Sequence, residues 1–271
     1  MSELPLESSN VDKVSLFSAI PSTVGEAASS SSLGTESVVT GTHADAFRRL
    51  CRSAPWKYRS LRFTLESSVP QWAYATGRFR APDALLLEDE SGQPRYVKIM
   101  NQLVDEHHYV SATKDSWLLP ATLVNPVYFD DGLVTRRPEF ACPLPPVSEV
   151  PLLEMFDPVS LAGNAPAANF LEETATIHAL SLAQQGGRDV VEAILTPNSS
   201  YFRSKSIHEL LLTGTSWVRV DVATGVMVGL VRSDGLRVAL RLDAVDEDYT
   251  DDVFELHAAG LKDISRERTF G

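Results

Sequence analysis

The sequence SWVRVDVATGVMVGLVRSDGLRVALRLDAV, which spans Ser216–Val245, decides the fold. From Leu236 to Ala244 every second residue is apolar, and successive side chains of a strand point to opposite faces. This segment therefore predicts a strand with one buried face. The preceding run, residues 226–231, is apolar at both sets of alternating positions. It predicts a central strand that is covered on both sides, in which Gly229 marks a bulge or a close contact.

Two short turns separate the strands of this stretch. Val218, Val220 and Val222 lie at every second position and predict the first of the three strands. Residues 224–225 and 233–235 have the composition of tight hairpin turns, because glycine adopts positive φ without strain. Short connections make consecutive strands neighbours, so the stretch predicts a three-stranded antiparallel meander.

The same patterns recur along the rest of the chain. Further strands are predicted at Pro55–Leu65, Trp72–Arg80, Ala84–Asp89, Arg95–Asn101, Glu173–Leu182 and Asp189–Thr196. Thr42 is a candidate N-cap for a short helix that ends before Pro55, and Pro151–Gly163 has the apolar spacing of short helices lying on a sheet. The predicted fold class is mainly β with a few short helices (α+β), a curved antiparallel sheet or unclosed β-barrel with a helical lid.

Composition divides the 271 residues into three parts. Residues 1–42 are Ser-rich and predict a flexible leader, in which the apolar run Val14–Ile20 either docks on a partner or folds back on the domain. Residues 43–256 are expected to form a single antiparallel β domain. Residues 257–271 are polar and predict a frayed tail.

Charge and hydropathy narrow the class of protein. The formal net charge of −12 disfavours binding to nucleic acid, whose phosphates it would repel. No run approaches the ~18 apolar residues of a transmembrane helix, and acidic residues stand at the N-terminus where a signal peptide is basic. A cytoplasmic location is therefore expected. Cys51 and Cys142 fit two reduced thiols or a single bridge, and the sequence leaves both open.

The sequence contains no recognisable catalytic motif. It has no nucleophile elbow, phosphate-binding loop or dinucleotide-binding fingerprint. His107 and His108 are adjacent, so on a strand they would point to opposite faces and make a poor metal pair, and His178 fits a core or rim histidine. We therefore expect no catalytic residues, no metal and no cofactor. The acidic run 243–255 is expected to be solvated, and the basic residues of 48–62 to face it within the fold.

A family resemblance is carried by the segment GRFRAPDALLLED, residues 77–89, together with residues 155–158, 220–225 and 248–254. In order and spacing these segments resemble actinobacterial proteins related to the outer-membrane lipoprotein carrier superfamily. The resemblance implies an unclosed antiparallel β-barrel with short helices covering its concave face. Members bind the acyl chains of lipoproteins or act as sensors in envelope-stress regulation. The expected absence of an export signal is a difference from that family.

We therefore predict a non-enzymatic protein that binds an apolar ligand (a lipid, an acyl chain or another hydrophobic small molecule) or an apolar partner segment on a concave sheet. The predicted ligand-binding residues are Phe63, Trp72, Tyr74, Phe79, Met155, Phe156 and Trp217. The same residues could instead fill a packed core. A regulatory or scaffold protein, acting through exposed strand edges and the leader, is the alternative, and a hydrolase is a more remote one.

Overall fold

The computed structural model of the chain describes residues 23–26, 41–69, 76–81, 84–99, 125–138, 152–168, 172–201 and 210–254. Most of its strands form one antiparallel sheet with nine members. They are β1 Ser60–Ser67, β2 Thr76–Arg80, β3 Ala84–Glu88, β4 Pro94–Ile99, β7 Ala175–Gln185, β8 Arg188–Pro197, β9 Ser216–Asp221, β10 Met227–Arg232 and β11 Arg237–Val245. A separate hairpin consists of β5 Val127–Tyr128 and β6 Val134–Arg136.

The sheet joins the two predicted meanders into one structure. Its strand order is β4-β3-β2-β1-β11-β10-β9-β8-β7, so the first and last strands in the chain are neighbours at its centre. There Leu61 pairs with Val245 and Leu65 with Leu240. β4 and β7 are the terminal strands and are not paired with each other, so the predicted mainly β fold with an unclosed antiparallel sheet is confirmed.

Short helices complete the described part of the chain. They are α1 Gly41–Ser53, α2 Leu152–Phe156 and 3-10 helices at Ala54–Trp56, Pro158–Leu161 and Asp251–Phe254. The helices predicted before Pro55 and within Pro151–Gly163 are thus confirmed. The prediction that Pro55 and Trp56 begin a strand is wrong, because a proline near the start of a helical turn suits its fixed φ and these residues extend α1.

The meander of Ser216–Val245 is confirmed in detail. Every residue of β9 is buried, as are all but the last of β10. The register slips between Met227 and Gly229, and a Cβ on Gly229 would lie 3.1 Å from the Trp217 ring, so Gly229 marks both a bulge and a close contact. Ala239 was expected on the wet face of β11 but is fully buried, because it packs in a cluster with Trp217.

The two faces of the sheet differ in what covers them. The helix-covered face contains Phe63, Val218 and Leu230, which share one large apolar cluster with residues of α1 and α2. The opposite face contains Trp217 and Arg219, which alternate with Val218 along β9. Among the described residues, no helix is both long and apolar enough to cross a bilayer.

The two ends of the chain lie mostly outside the described residues. Of the predicted leader, residues 23–26 and 41–42 are described, and Val24 packs against the apolar cluster that contains Trp217. Because α1 begins at Gly41, Thr42 lies within the helix, and the prediction that it is the N-cap is wrong. The run Val14–Ile20 and the tail 257–271 are outside the described ranges, so the predictions made for them stay predictions.

Candidate functional site

Four of the predicted ligand-binding residues meet where α2 packs on the sheet. Phe63 on β1 and Phe79 on β2 lie on the same face of the sheet, and Met155 and Phe156 descend onto them from the helix. The Phe156 ring lies 5.1 Å from each of the two sheet phenylalanines, tilted at 60° to Phe63 and stacked at 19° on Phe79. All four side chains are buried in the main apolar cluster, so they fill a packed core, which is the alternative that the sequence left open.

The aromatic cluster depends on a glycine in the neighbouring strand. Gly77 on β2 is the register partner of Phe63, and a Cβ at this position would lie 2.3 Å from the Phe63 ring and 2.9 Å from Leu87. The ring therefore lies over the glycine where any larger residue would have a side chain. Gly77 opens the motif on which the family resemblance rests, but nothing in its sequence context shows that an aromatic ring would cover it.

The other three predicted residues do not join this cluster. Trp217 lies on the opposite face, where it packs with Ile194, Val231 and Ala239, so the prediction that it shares a face with Phe63 is wrong. The physical reason is alternation along β9, which directs Val218 toward α1 and Trp217 away from it. Trp72 and Tyr74 lie outside the described residues.

A buried ion pair holds α2 in place at its C-terminal end. Asp157 follows α2, and its carboxylate accepts hydrogen bonds from both terminal nitrogens of Arg137, with 2.9 Å between Arg137 Nη1 and Asp157 Oδ2. Each side chain is 2 % exposed. Arg137 Nε also donates to the Arg52 carbonyl oxygen at 2.9 Å, and its guanidinium lies over the Trp56 ring. The charges are thus paired and hydrogen-bonded, as burial requires.

A second buried arginine joins α1 to the loop after α2. Arg52 donates to three carbonyl oxygens, those of Ala162, Gly163 and Ala165, at distances of 2.7–3.0 Å. Burial lowers the pKa of Arg52 to about 10, so the guanidinium remains charged at neutral pH. Arg52 was predicted to face the acidic run 243–255 with the other basic residues of 48–62, which is wrong because it binds these carbonyl oxygens instead; no local sequence signal distinguishes it from Arg48 and Arg49.

The N-terminal part of α2 is held by a carboxylate. Glu154 accepts hydrogen bonds from the Tyr201 hydroxyl at 2.8 Å, from Ser160 Oγ, and from the Leu210 backbone N–H at 3.3 Å. The Tyr201 hydroxyl in turn accepts from the Leu211 N–H at 3.1 Å. Burial raises the pKa of Tyr201 well above its usual range, so its hydroxyl stays protonated and can donate to Glu154. These contacts link α2 to the segments on either side of residues 202–209.

The apolar site is chemically unreactive where the structure describes it. Tyr58 donates from its hydroxyl to the Phe156 carbonyl oxygen at 2.9 Å, which closes the site beside α2. Cys51 on α1 is a buried free thiol, and burial raises its pKa to about 12, which keeps the sulfur protonated and unreactive. Cys142, the other cysteine, lies outside the described residues.

The groups that could supply chemistry lie apart from this site. His178 is exposed on β7, where its Nε2 lies 2.9 Å from Thr196 Oγ1, so it is a surface histidine rather than the core or rim residue expected. His107 and His108 lie outside the described residues. Within the described ranges, no three His, Cys, Asp or Glu side chains form a group that could hold a metal ion.

The predicted meeting of the basic cluster with the acidic run occurs in part. Arg62 Nη2 lies 3.1 Å from Glu247 Oε1, and Arg59 Nη2 lies 3.9 Å from Asp248 Oδ1. These pairs are on the surface at the β1–β11 junction. Other members of the basic cluster pair elsewhere, Arg48 with Glu173 and Asp45 and Arg49 with Asp131.

The comparisons with protein families and with curated proteins identify no relative of this chain. No protein-family model matches the chain, and no curated protein matches it. The resemblance to the lipoprotein carrier superfamily therefore stays a prediction from the sequence, and the function is argued from the geometry of the site.

Proposed function

We propose that the chain is a non-enzymatic binding protein that holds an apolar ligand, such as a lipid or an acyl chain, or an apolar partner segment, between the helix-covered face and α2. The observation that carries the proposal is the insertion of Phe156 between Phe63 and Phe79. A short helix of the chain itself thus places an apolar group against the sheet, in the position that a bound apolar group would take. In this proposal the packed arrangement of Phe63, Phe79 and Phe156 is the closed form.

The short length of α2 supports the proposal that a ligand can displace this helix. The helix has five residues, and helices this short are not stable alone, so packing and polar contacts hold it in place. Those contacts are concentrated at Glu154, before the inserted ring, and at Asp157, after it. A ligand that binds only the open form must displace α2. Its apparent association constant is therefore the intrinsic association constant multiplied by the fraction of molecules that are open.

The proposal is tested by native mass spectrometry of the gently purified chain and by titration with a pyrene-labelled fatty acid. We expect an apolar adduct and saturable binding. Tyr201→Phe removes the hydroxyl that donates to Glu154, and we expect it to tighten the apparent binding roughly threefold to tenfold by raising the open fraction.

A matched control is available on the other side of the sheet. Tyr249→Phe removes a hydroxyl that donates to Glu247 at 2.6 Å on the face of the sheet opposite α2, and should leave fatty-acid binding unchanged. The absence of both adduct and saturable binding, in the wild type and in Tyr201→Phe alike, would refute the proposal. Equal tightening in the two variants would show that α2 does not gate the site.

The second candidate function is a scaffold that acts through protein–protein contacts. It is favoured by the β5–β6 hairpin, which exposes three consecutive apolar residues: Val127 is 57 % exposed, Tyr128 53 % and Phe129 49 %. Contiguous exposed apolar side chains are typical of interaction sites. If this function is correct, Tyr128→Glu should abolish a specific cross-link to a partner while fatty-acid binding stays unchanged. The hydrolase alternative gains no supporting observation from the described residues.

A further inference from the structure

The terminal strand β7 has one side without a described partner. It pairs with β8 from Ala175 opposite Pro197 to Gln185 opposite Arg188. Within the described ranges no strand pairs with its other side, because β7 ends the strand order of the sheet. Arg48 Nη2 donates to the carbonyl oxygen of the fully buried Ala175 at 3.3 Å, so the open edge runs from Thr176 to Gln185 and is about 34 Å long, at about 3.4 Å per residue.

The composition of β7 lacks the usual protection of an edge. Its sequence, ATIHALSLAQQ, contains no Asp, Glu, Lys, Arg or Pro. Natural proteins place charges, proline or very short strands at sheet edges to prevent pairing with other chains. The other terminal strand, β4, follows that rule, since its sequence PRYVKI has six residues that include Pro94, Arg95 and Lys98. β7 does have a bulge between Ile177 and Ala179, but its lack of charged residues and proline leaves the strand compatible with pairing.

The side chains of β7 also favour an apolar partner. Leu182 is 81 % exposed, more than any other large apolar residue that the structure shows at the surface. Leu180 lies two positions away on the same face of the strand, while Ala179 and Ser181 on the other face are small. A partner strand would cover Leu182 and meet no bulky or charged side chain.

The charges around β7 favour a second copy as that partner. In an antiparallel pair about a two-fold axis, the start of one strand lies beside the end of the other. Each end is closed by an internal ion pair, Arg48 with Glu173 at the start and Arg188 with Asp221 at the end. Self-pairing thus sets no unpaired like charges from these groups against each other, and with the two-fold axis at Leu180 it places Leu180 opposite Leu180 and Leu182 opposite His178 of the second copy.

We propose that β7 pairs antiparallel with β7 of a second copy and joins two nine-stranded sheets into one. An edge about 34 Å long and roughly 13 Å wide covers roughly 450 Å² per copy, or about 900 Å² in total, which is the size of a weak or transient interface. Dimerisation is therefore to be measured up to high micromolar concentrations. Because each copy has a net charge of −12, added salt should strengthen it by screening their repulsion.

Sedimentation velocity on the full chain, from about 1 to about 100 µM, tests the proposal. We expect a monomer–dimer equilibrium that Leu182→Lys weakens at least about tenfold, since the substitution removes an apolar cross-strand contact and places a charge on the pairing edge of each copy. Leu182 is so exposed that the variant should fold normally, and unfolding by urea checks this. Val127→Lys is the matched control, because it places the same charge at an exposed apolar residue of the β5–β6 hairpin and should leave dimerisation unchanged.

Hydrogen exchange locates the interface independently. In the dimer, amides of β7 should gain protection as the concentration rises, and those of β4 should not. A wild-type chain that is monomeric at 100 µM overturns the proposal. So does a Leu182→Lys variant that dimerises like the wild type, or protection that appears at the hairpin instead of β7. The proposal is also overturned if the chain stays monomeric and an extended peptide binds along β7, because the partner is then another strand and not a second copy.

Discussion

The two faces of the sheet differ in how far their charged side chains are removed from water. On the helix-covered face the ion pair Arg137–Asp157 is almost completely removed from water, and every hydrogen bond around it is supplied by the protein. On the opposite face pairs such as Arg78–Glu88 stay partly in water, and the apolar cluster around Trp217 is small. Breaking a buried contact leaves an uncompensated group, whereas water replaces an exposed one, so stability should depend mainly on the helix-covered face.

The largest effect is expected at the buried ion pair. Asp157→Ala leaves the Arg137 guanidinium buried without its counter-charge, and the free energy of unfolding should fall by about 3–5 kcal/mol. Glu88→Ala on the opposite face removes a partner of Arg78 at 2.8 Å, and because the pair is partly exposed the loss should be below about 1 kcal/mol. Unfolding by urea measures both. Similar losses in the two variants would contradict the distinction between the faces.

The next effect compares two strand glycines. A Cβ on Gly77 would lie 2.3 Å from the Phe63 ring, which packs against the Phe156 ring, so Gly77→Ala should cost about 1–3 kcal/mol. A Cβ on Gly229 would meet Trp217 at 3.1 Å, a distance that small shifts can accommodate, so Gly229→Ala should cost under about 1 kcal/mol. Both costs are read from urea midpoints. The reverse order would show that the opposite face is the more tightly packed.

A smaller effect is expected where the leader meets the sheet. Val24 is partly buried against the cluster of Trp217, and Val24→Asp should lower the free energy of unfolding by about 1 kcal/mol by placing a charge there. Val222→Asp, at an exposed turn position, is the control and should have little effect. Thermal unfolding distinguishes the two. If Val24→Asp is as neutral as its control, the leader contributes nothing to the opposite face.

The smallest effect is a pH dependence confined to acid conditions. Burial alone would raise the pKa of Asp221, but hydrogen bonds from Arg188 and Thr224 outweigh it and hold this pKa below its usual range. The unfolded chain then binds the proton more readily, so the stabilisation is complete above about pH 4 and is lost as the pH falls. Asp221→Asn should flatten this part of the curve of stability against pH. An unchanged acid slope in that variant would contradict the assignment.

The alternation of apolar residues predicted the strands, because side chains at every second position lie on the same face of a strand. The meander of Ser216–Val245, the Gly229 bulge and the short helices within 151–163 all follow from local patterns that the tertiary structure did not override. For the candidate site, the sequence correctly grouped Phe63, Phe79, Met155 and Phe156 but assigned Trp217 to the wrong face. Alternation shows which residues share a face, and it does not show which face the helices will cover.

By itself, then, the sequence determined the strands, their antiparallel order within each meander and the aromatic residues able to form an apolar site, since these depend on neighbours in the chain. Only the tertiary structure decided that β1 joins β11, that Phe156 fills the space above Phe63, and that Arg52 and Arg137 are buried. Each of these is a contact between distant segments. The sequence around an arginine does not show whether its side chain will contact water or a buried carbonyl oxygen, and only the packed structure distinguishes the two.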